Sequence, residues 1–209
     1  MALFYAAARP EEGGAGGIQT SLSGFIYTVS MIHPVKFTVD DLDNFPDDGK
    51  RREIVEGELY VSPSPSRHHQ RILRRLTFGV ESYLQRNPVG EVFFAPFDVR
   101  FSLNDGVQPD QIYVANEHAD LVTDRGVYGS PDWVVEILSP SNRDYDLQTK
   151  RRMYQKYGVR LYWVIDPAER CIYAWDDKKE EPVKYSDDDT AEVPLLPGLC
   201  FVVPELTAL

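Results

Sequence analysis

Apolar positions along the chain recur at two periods, about 3.6 and 2, and the switches between them mark out the elements. From Ser66 onward Ile72, Leu73, Leu76, Val80 and Leu84 fall at helical spacing, and Asn87-Pro88 ends the helix they predict. Val99, Phe101 and Leu103 alternate with Asp98 and Arg100, as in a strand with one face covered. Further strands are predicted at 91–94 and 110–115, with a turn at Asn104-Asp105-Gly106. After a polar loop, Trp133-Val134-Val135-Glu136-Ile137-Leu138 is an almost unbroken apolar run, of the kind buried on both sheet faces. Residues 144–157 read as a second helix, closed by Gly158 in the C′ position, and 161–165 and 171–175 as buried strands.

Before the first long helix, Thr38 caps a short helix, and strands at 52–55 and 58–62 flank a tight turn at Glu56-Gly57. Pro63 and Pro65 stop the second of them. The order is helix, strands, helix, strand, with extra β-structure at both ends, which is an α/β core on a mixed central sheet. Residues 1–30 differ: 11–17 is Gly-rich, nothing periodic follows, and a second methionine stands at Met31. They read as an accessory or disordered N-terminal segment ahead of one domain over 31–209.

Composition adds little until charge is mapped. With 43% hydrophobic and 26% charged residues in 209, the chain is ordinary for one globular domain. No apolar run reaches the roughly 18–20 residues that span a bilayer, and no basic stretch precedes the apolar start, so the expectation is a cytoplasmic protein without a membrane partner. Cys171 and Cys200 lie far apart in strand-like runs, without disulfide or zinc spacing, and read as two buried thiols. The net charge of −11 weighs against a nucleic-acid partner. Its distribution matters more: residues 40–58 and 176–192 each carry −5, whereas 66–86 and 143–160 each carry +4. Two basic segments between acidic ones leave room for a local anion-facing surface.

Three polar residues stand where packing alone does not put them. Glu136 sits inside the apolar run, where a carboxylate is costly unless paired or bound to metal. Asp110 opens its strand directly after Pro109. On a wheel of about 100° per residue, Lys150 falls amid the arc formed by Leu147, Met153, Tyr154 and Tyr157. Asp146 lies near that arc too, but a first-turn acid suits the helix dipole. Two carboxylates and a lysine meeting in a half-buried place are either a structural ion pair with Asp110 as a turn residue, or a Mg²⁺ site with an ammonium beside it.

The motifs carry a resemblance. Pro109-Asp110 followed by Glu136 in an apolar strand resembles the PD-(D/E)xK nuclease superfamily signature. More specific are Arg51-Arg-Glu-Ile-Val-Glu-Gly-Glu-Leu59, Ser62-Pro-Ser-Pro-Ser66 with His69-Gln70, and Pro131 to Pro140. Asp146 to Lys150, Tyr162-Trp-Val-Ile-Asp-Pro167 and Leu196-Pro-Gly-Leu199 complete the set. Together they resemble the Uma-two family of restriction-endonuclease-like proteins, from about Phe37 to the C-terminus. The resemblance implies a restriction-endonuclease-like αβββαβ core. It also implies that Asp110 and Glu136, with the backbone carbonyl of Ile137, ligate Mg²⁺ or Mn²⁺. The superfamily's lysine normally stands two residues after the glutamate, which here is Leu138; Lys150 on the following helix fits a relocated lysine.

The expected function is a metal-dependent endonuclease that hydrolyses phosphodiesters in nucleic acid, DNA before RNA. Asp110, Glu136 and Lys150 form its catalytic site, and Arg67, Arg71 and Arg74 contact phosphates. Asp98, Glu58, His69 and Gln70 are secondary candidates, Glu53 and Glu56 being read with Glu58 as residues of an exposed hairpin. Duplex cleavage needs two active sites, which points to a homodimer. The rival is a catalytically silent nuclease-fold module for binding or assembly, since fold alone does not establish activity.

Overall fold

The computed structural model describes residues 18–22, 25–29, 35–46, 48–140, 143–177 and 179–209. Its contacts divide the chain into two units, residues 1–36 and 37–209. In the first, strands β1 (Ile18–Leu22) and β2 (Phe25–Val29) pair antiparallel, with Ile18 opposite Val29. The sequence reading placed no element there; its expectation for residues 1–17 lies outside the described residues.

The second unit begins with α1 (Val39–Leu42), where Thr38 and Asp41 form a reciprocal cap: the Thr38 backbone N–H donates to Asp41 Oδ2 at 2.8 Å. Next come β3 (Arg51–Val55), β4 (Glu58–Ser62), α2 (Arg67–Leu84), β5 (Gly90–Phe94), β6 (Asp98–Ser102), β7 (Asp105–Val107) and β8 (Gln111–Ala115). A 3₁₀ turn over Asn116–Leu121 leads to β9 (Val122–Thr123) and β10 (Gly126–Tyr128), in the stretch expected to be loop. Then follow β11 (Trp133–Ile137), a helix that is π-wound over Tyr145–Lys150 and continues as α3 (Arg151–Lys156), β12 (Leu161–Asp166) and β13 (Cys171–Asp176). The remaining elements are β14 (Val183–Tyr185), β15 (Thr190–Glu192), β16 (Cys200–Val202) and α4 (Val203–Thr207).

The central sheet has the order β14-β13-β12-β11-β8-β5. Only β11 and β12 run parallel in it, and a parallel pair needs a long crossover, which the π-wound helix and α3 supply. The series α2, β5, β8, β11, α3, β12 is the αβββαβ core. One strand expected between the helices, at 98–103, is observed as β6 and joins a second sheet instead, ordered β4-β3-β7-β6-β10-β9. The turn at Leu103-Asn104 folds it back onto β7, where Val99 faces Val107.

Alternation along β11 and β12 sorts their side chains to two cores. Trp133, Val135, Ile137, Leu161, Trp163 and Ile165 pack with the apolar stripe of α2 and the C-terminal segment. Trp133 and Trp163 meet edge to face at 4.9 Å, and truncating either to Ala would cost about 3–5 kcal/mol. Val134, Leu138, Tyr162 and Val164 face the other way, towards Met153 and Tyr154 of α3 and Val55, Val99 and Val107 of the second sheet. Cys171 is buried as expected, but Cys200 is exposed, because β16 turns only Phe201 inward. Among the described residues no helix is long and apolar enough to cross a membrane.

Candidate nuclease site

Glu136 shares the parity of Val134 and Leu138, so its carboxylate enters the layer between the central sheet, α3 and the second sheet. Its neighbour across the β8–β11 pair is Asp110, one step beyond the last paired residues Gln111 and Val135. From the second sheet, Arg51, Glu53 and Val55 alternate onto one face of β3: Val55 enters the core, Glu53 is 1% exposed, and Arg51 reaches Asp110. The π-wound turn contributes both Asp146 and Lys150 as buried residues. π-Helical turns often occur at functional sites.

Two linked clusters result. Lys150 Nζ donates to Glu136 Oε1 at 2.8 Å and to Glu53 Oε1 at 2.9 Å, and stands 3.6 Å from Asp146 Oδ1. Tyr154 also donates to Glu136 Oε1, at 2.8 Å, and the Gln108 backbone N–H donates to Glu53 Oε1 at 2.9 Å. Around Asp110, Arg51 Nη1 donates to Oδ1 at 2.9 Å, the Ile137 backbone N–H donates to Oδ2 at 2.8 Å, and His69 Nε2 shares Oδ2 at 2.9 Å. A small solvent-open pocket exposes the meeting point, lined by Arg51, His69, Asp110, Glu136, Ile137, Asp146 and Lys150. Its remaining wall is the Ser62-Pro63-Ser64-Pro65 segment and Ser139.

The electrostatics separate the acids. Burial pushes Asp110 upward, but His69, Arg51 and the Ile137 N–H outweigh it and hold the carboxyl at about 2. Glu136 goes the other way: burial, against the pull of Lys150, and the charges of Asp110 and Glu53 lift it to about 7. Burial also raises Asp146 well above the usual carboxylate range, although Lys150 opposes the shift. Lys150 is held protonated, since the pull of Glu136, Glu53 and Asp146 exceeds the cost of burial.

The structure brings Asp110, Glu136 and Lys150 together, with Ile137 at the pocket wall and His69 on Asp110. Other sequence candidates lie elsewhere. Glu58 is exposed and bonded to Tyr60, because the hairpin turn puts it beyond the buried end of β3. The hairpin acid that enters the site is Glu53, which the sequence reading had left on an exposed turn. Asp98 is paired with Arg100 and Gln108 on the second sheet, outside the pocket lining. Gln70 faces solvent on the side of α2 away from His69. Arg67 and Arg74 are exposed and Arg71 half-buried along α2, and none lines the pocket. Arg51, Glu53 and Asp146 were missed. The alternation of Arg51, Glu53 and Val55 was the available signal for the first two.

A divalent ion suits this donor set. Four carboxyl groups, Glu53, Asp110, Glu136 and Asp146, meet two permanent cations, Arg51 and Lys150, so acids outnumber cations by two before His69 is counted. Glu53 Oε2 is buried without a hydrogen-bond partner among the described residues. Buried acids in surplus, with an orphan acceptor oxygen, are what a hard, oxygen-seeking cation would satisfy. Among the described residues, two other groups bring metal-ligand types together, Glu117 with His118 and Asp132, and Asp166 with Glu169 and Cys171. Cations of the chain already serve both: Arg160 pairs with Glu117 and Asp132, and Arg143 with Asp166 and Glu169.

Comparison with solved structures gives the same architecture. A crystal structure of a putative nuclease from Anabaena variabilis superposes with a TM-score of 0.72 at 20% identity, covering 82% of this chain and 98% of that one. At that identity the likeness shows the fold. No curated protein matches the chain. The sequence profile of the Uma2 family, described as putative restriction endonuclease, matches residues 39–205. That match takes in every residue of the pocket, and the chain belongs to the Uma2 family of the restriction-endonuclease-like fold.

Proposed function

We propose that the chain is a divalent-metal-dependent endonuclease that hydrolyses phosphodiester bonds in DNA. The observation that carries this reading is the buried acid surplus of Glu53, Asp110, Glu136 and Asp146 about Lys150 and Arg51, with Asp110, Glu136 and Asp146 lining a solvent-open pocket. Asp110 and Glu136, with the backbone carbonyl of Ile137, would hold Mg²⁺ or Mn²⁺. When bound, the ion supplies Lewis acidity and a more acidic water. Lys150 orients the attacking water and offsets the charge that grows on the phosphate oxygens. Glu53 and Tyr154 fix Lys150 and Glu136 by the hydrogen bonds given above. A preorganised site of this kind reacts without first rearranging its dipoles.

The family's description supports DNA as substrate, and the exposed Arg67 and Arg74 with Arg71 on α2 are the proposed phosphate contacts outside the pocket. A homodimer in the cytoplasm belongs to the same reading, since a double-strand cut takes two sites. The test is an assay of the full chain on duplex DNA, single-stranded DNA and RNA with Mn²⁺. Wild type should cut DNA and Asp110→Ala should not. Equal cutting by both would remove Asp110 from the site, and no cutting by either under any divalent ion would favour the silent module.

A further inference from the structure

Arg51 has a place in the pocket that the nuclease chemistry described so far leaves unused. Of the two permanent cations that line the cavity, Lys150 is 3% exposed and committed to Glu136, Glu53 and Asp146. The Arg51 side chain is 23% exposed, and among the described residues its one side-chain hydrogen bond is Nη1 to Asp110 Oδ1. A guanidinium has five N–H donors in a planar fork, so most of the donor capacity of this pocket-lining side chain is not used by that bond. That fork matches a phosphate better than any ammonium does. Its single partner is also the carboxylate proposed to take the ion, so an ion at Asp110 and the Arg51 contact compete for the same oxygen.

We infer that Arg51 is the phosphate-binding residue of this pocket, held on Asp110 while no divalent ion is bound and released to the substrate's phosphate once one is. This rests on the nuclease reading above and adds a substrate contact to it. Asp110 passes from one positive partner to the other, so its buried charge is never left bare. The substrate phosphate then meets a guanidinium already at the wall beside Ser62 and Ser64.

The variants Arg51→Gln and Arg51→Lys separate the two roles. Without metal, Arg51→Gln should melt lower than wild type, because Asp110 loses a charged partner, and saturating Mn²⁺ should remove most of that deficit. Calorimetry should show Mn²⁺ binding to Arg51→Gln more tightly than to wild type, since a competing cation has gone. Binding of a short DNA duplex in Ca²⁺, read by fluorescence anisotropy, should weaken by about tenfold or more, as for a lost charge-assisted hydrogen bond. Arg51→Lys should keep the metal-free melting temperature and still lose duplex affinity, which guards against a folding artefact. Unchanged duplex affinity in both variants, or weaker Mn²⁺ binding in Arg51→Gln, would overturn the inference while leaving the nuclease reading intact. A wild-type chain that binds neither Mn²⁺ nor DNA would overturn both.

Discussion

Lys150 donates to two carboxylates from inside the core, and removing it exposes what the surrounding acids need. Lys150→Met keeps the bulk of the stem but strands Glu53 and Glu136. Without metal it should lose about 3–5 kcal/mol, as when one partner of a buried pair is removed. With Mn²⁺ the loss should shrink while cleavage stays absent; denaturant unfolding with and without the ion checks the first part. A second prediction lies at the far end of β11. Asp132 accepts from the Ala115 N–H, His118 and Arg160, and these hold its carboxyl low despite its burial. The Asp132 hydrogen bond raises His118, with Glu117 adding to the pull and Arg160 opposing it. The His118 contribution is therefore complete below about pH 6.5 and fades as pH rises through its folded value. The Asp132 contribution is present above about pH 3.9 and fades as pH falls through its own folded value. His118→Gln should flatten the melting temperature between about pH 6 and 8 and leave the acid-side fall in place. At this scale Glu136 and Lys150 were legible because each is a charge inside an apolar pattern. Glu53 and Arg51 were harder to read, because the strand is short and Ile54 and Val55 put an apolar residue on each face, leaving only the shared parity with Val55 as a signal.

Helix α2 carries one wall of the site from its first turn, where Ser66 Oγ accepts from the His69 N–H and so sets the turn that presents His69 to Asp110. Ser66→Ala should cost about 1 kcal/mol, the usual worth of an N-cap, measured by thermal or denaturant unfolding. No loss would mean that the docking of Ile72, Leu76 and Val80 alone fixes the helix start. The second helix shows how far pattern reaches. Its end at Gly158, with φ of +75°, followed from the residue type. The π-winding of its first part, Tyr145–Lys150, did not follow from the sequence. Asp146, near the apolar arc on the wheel but excused in the sequence as a dipole acid, is buried beside Lys150. β9 and β10 were missed for a simpler reason. They have two and three residues, too few for a period to register, and β10 is held by pairing with the distant β6.

Across the whole molecule, a net charge of −11 coexists with a site whose four acids, Glu53 included, outnumber the permanent cations Arg51 and Lys150. For the proposed substrate that is unfavourable until a divalent ion enters, so metal and nucleic acid should bind in that order. The helical pattern and the two-faced alternation of β11 and β12 made the αβββαβ core readable, whereas the second sheet depends on pairings far apart in sequence, such as β3 with β7. Removal of residues 1–30 should leave the melting temperature of the remaining chain unchanged, and a clear drop would show that the N-terminal unit supports the fold. The central claim is that the acid surplus exists to hold a divalent ion at Asp110 and Glu136. Titration calorimetry of Mn²⁺ into wild type, Asp110→Ala and Glu136→Gln tests it most directly. The account predicts one saturable site in wild type and its loss in both variants; equal binding in all three chains would contradict it.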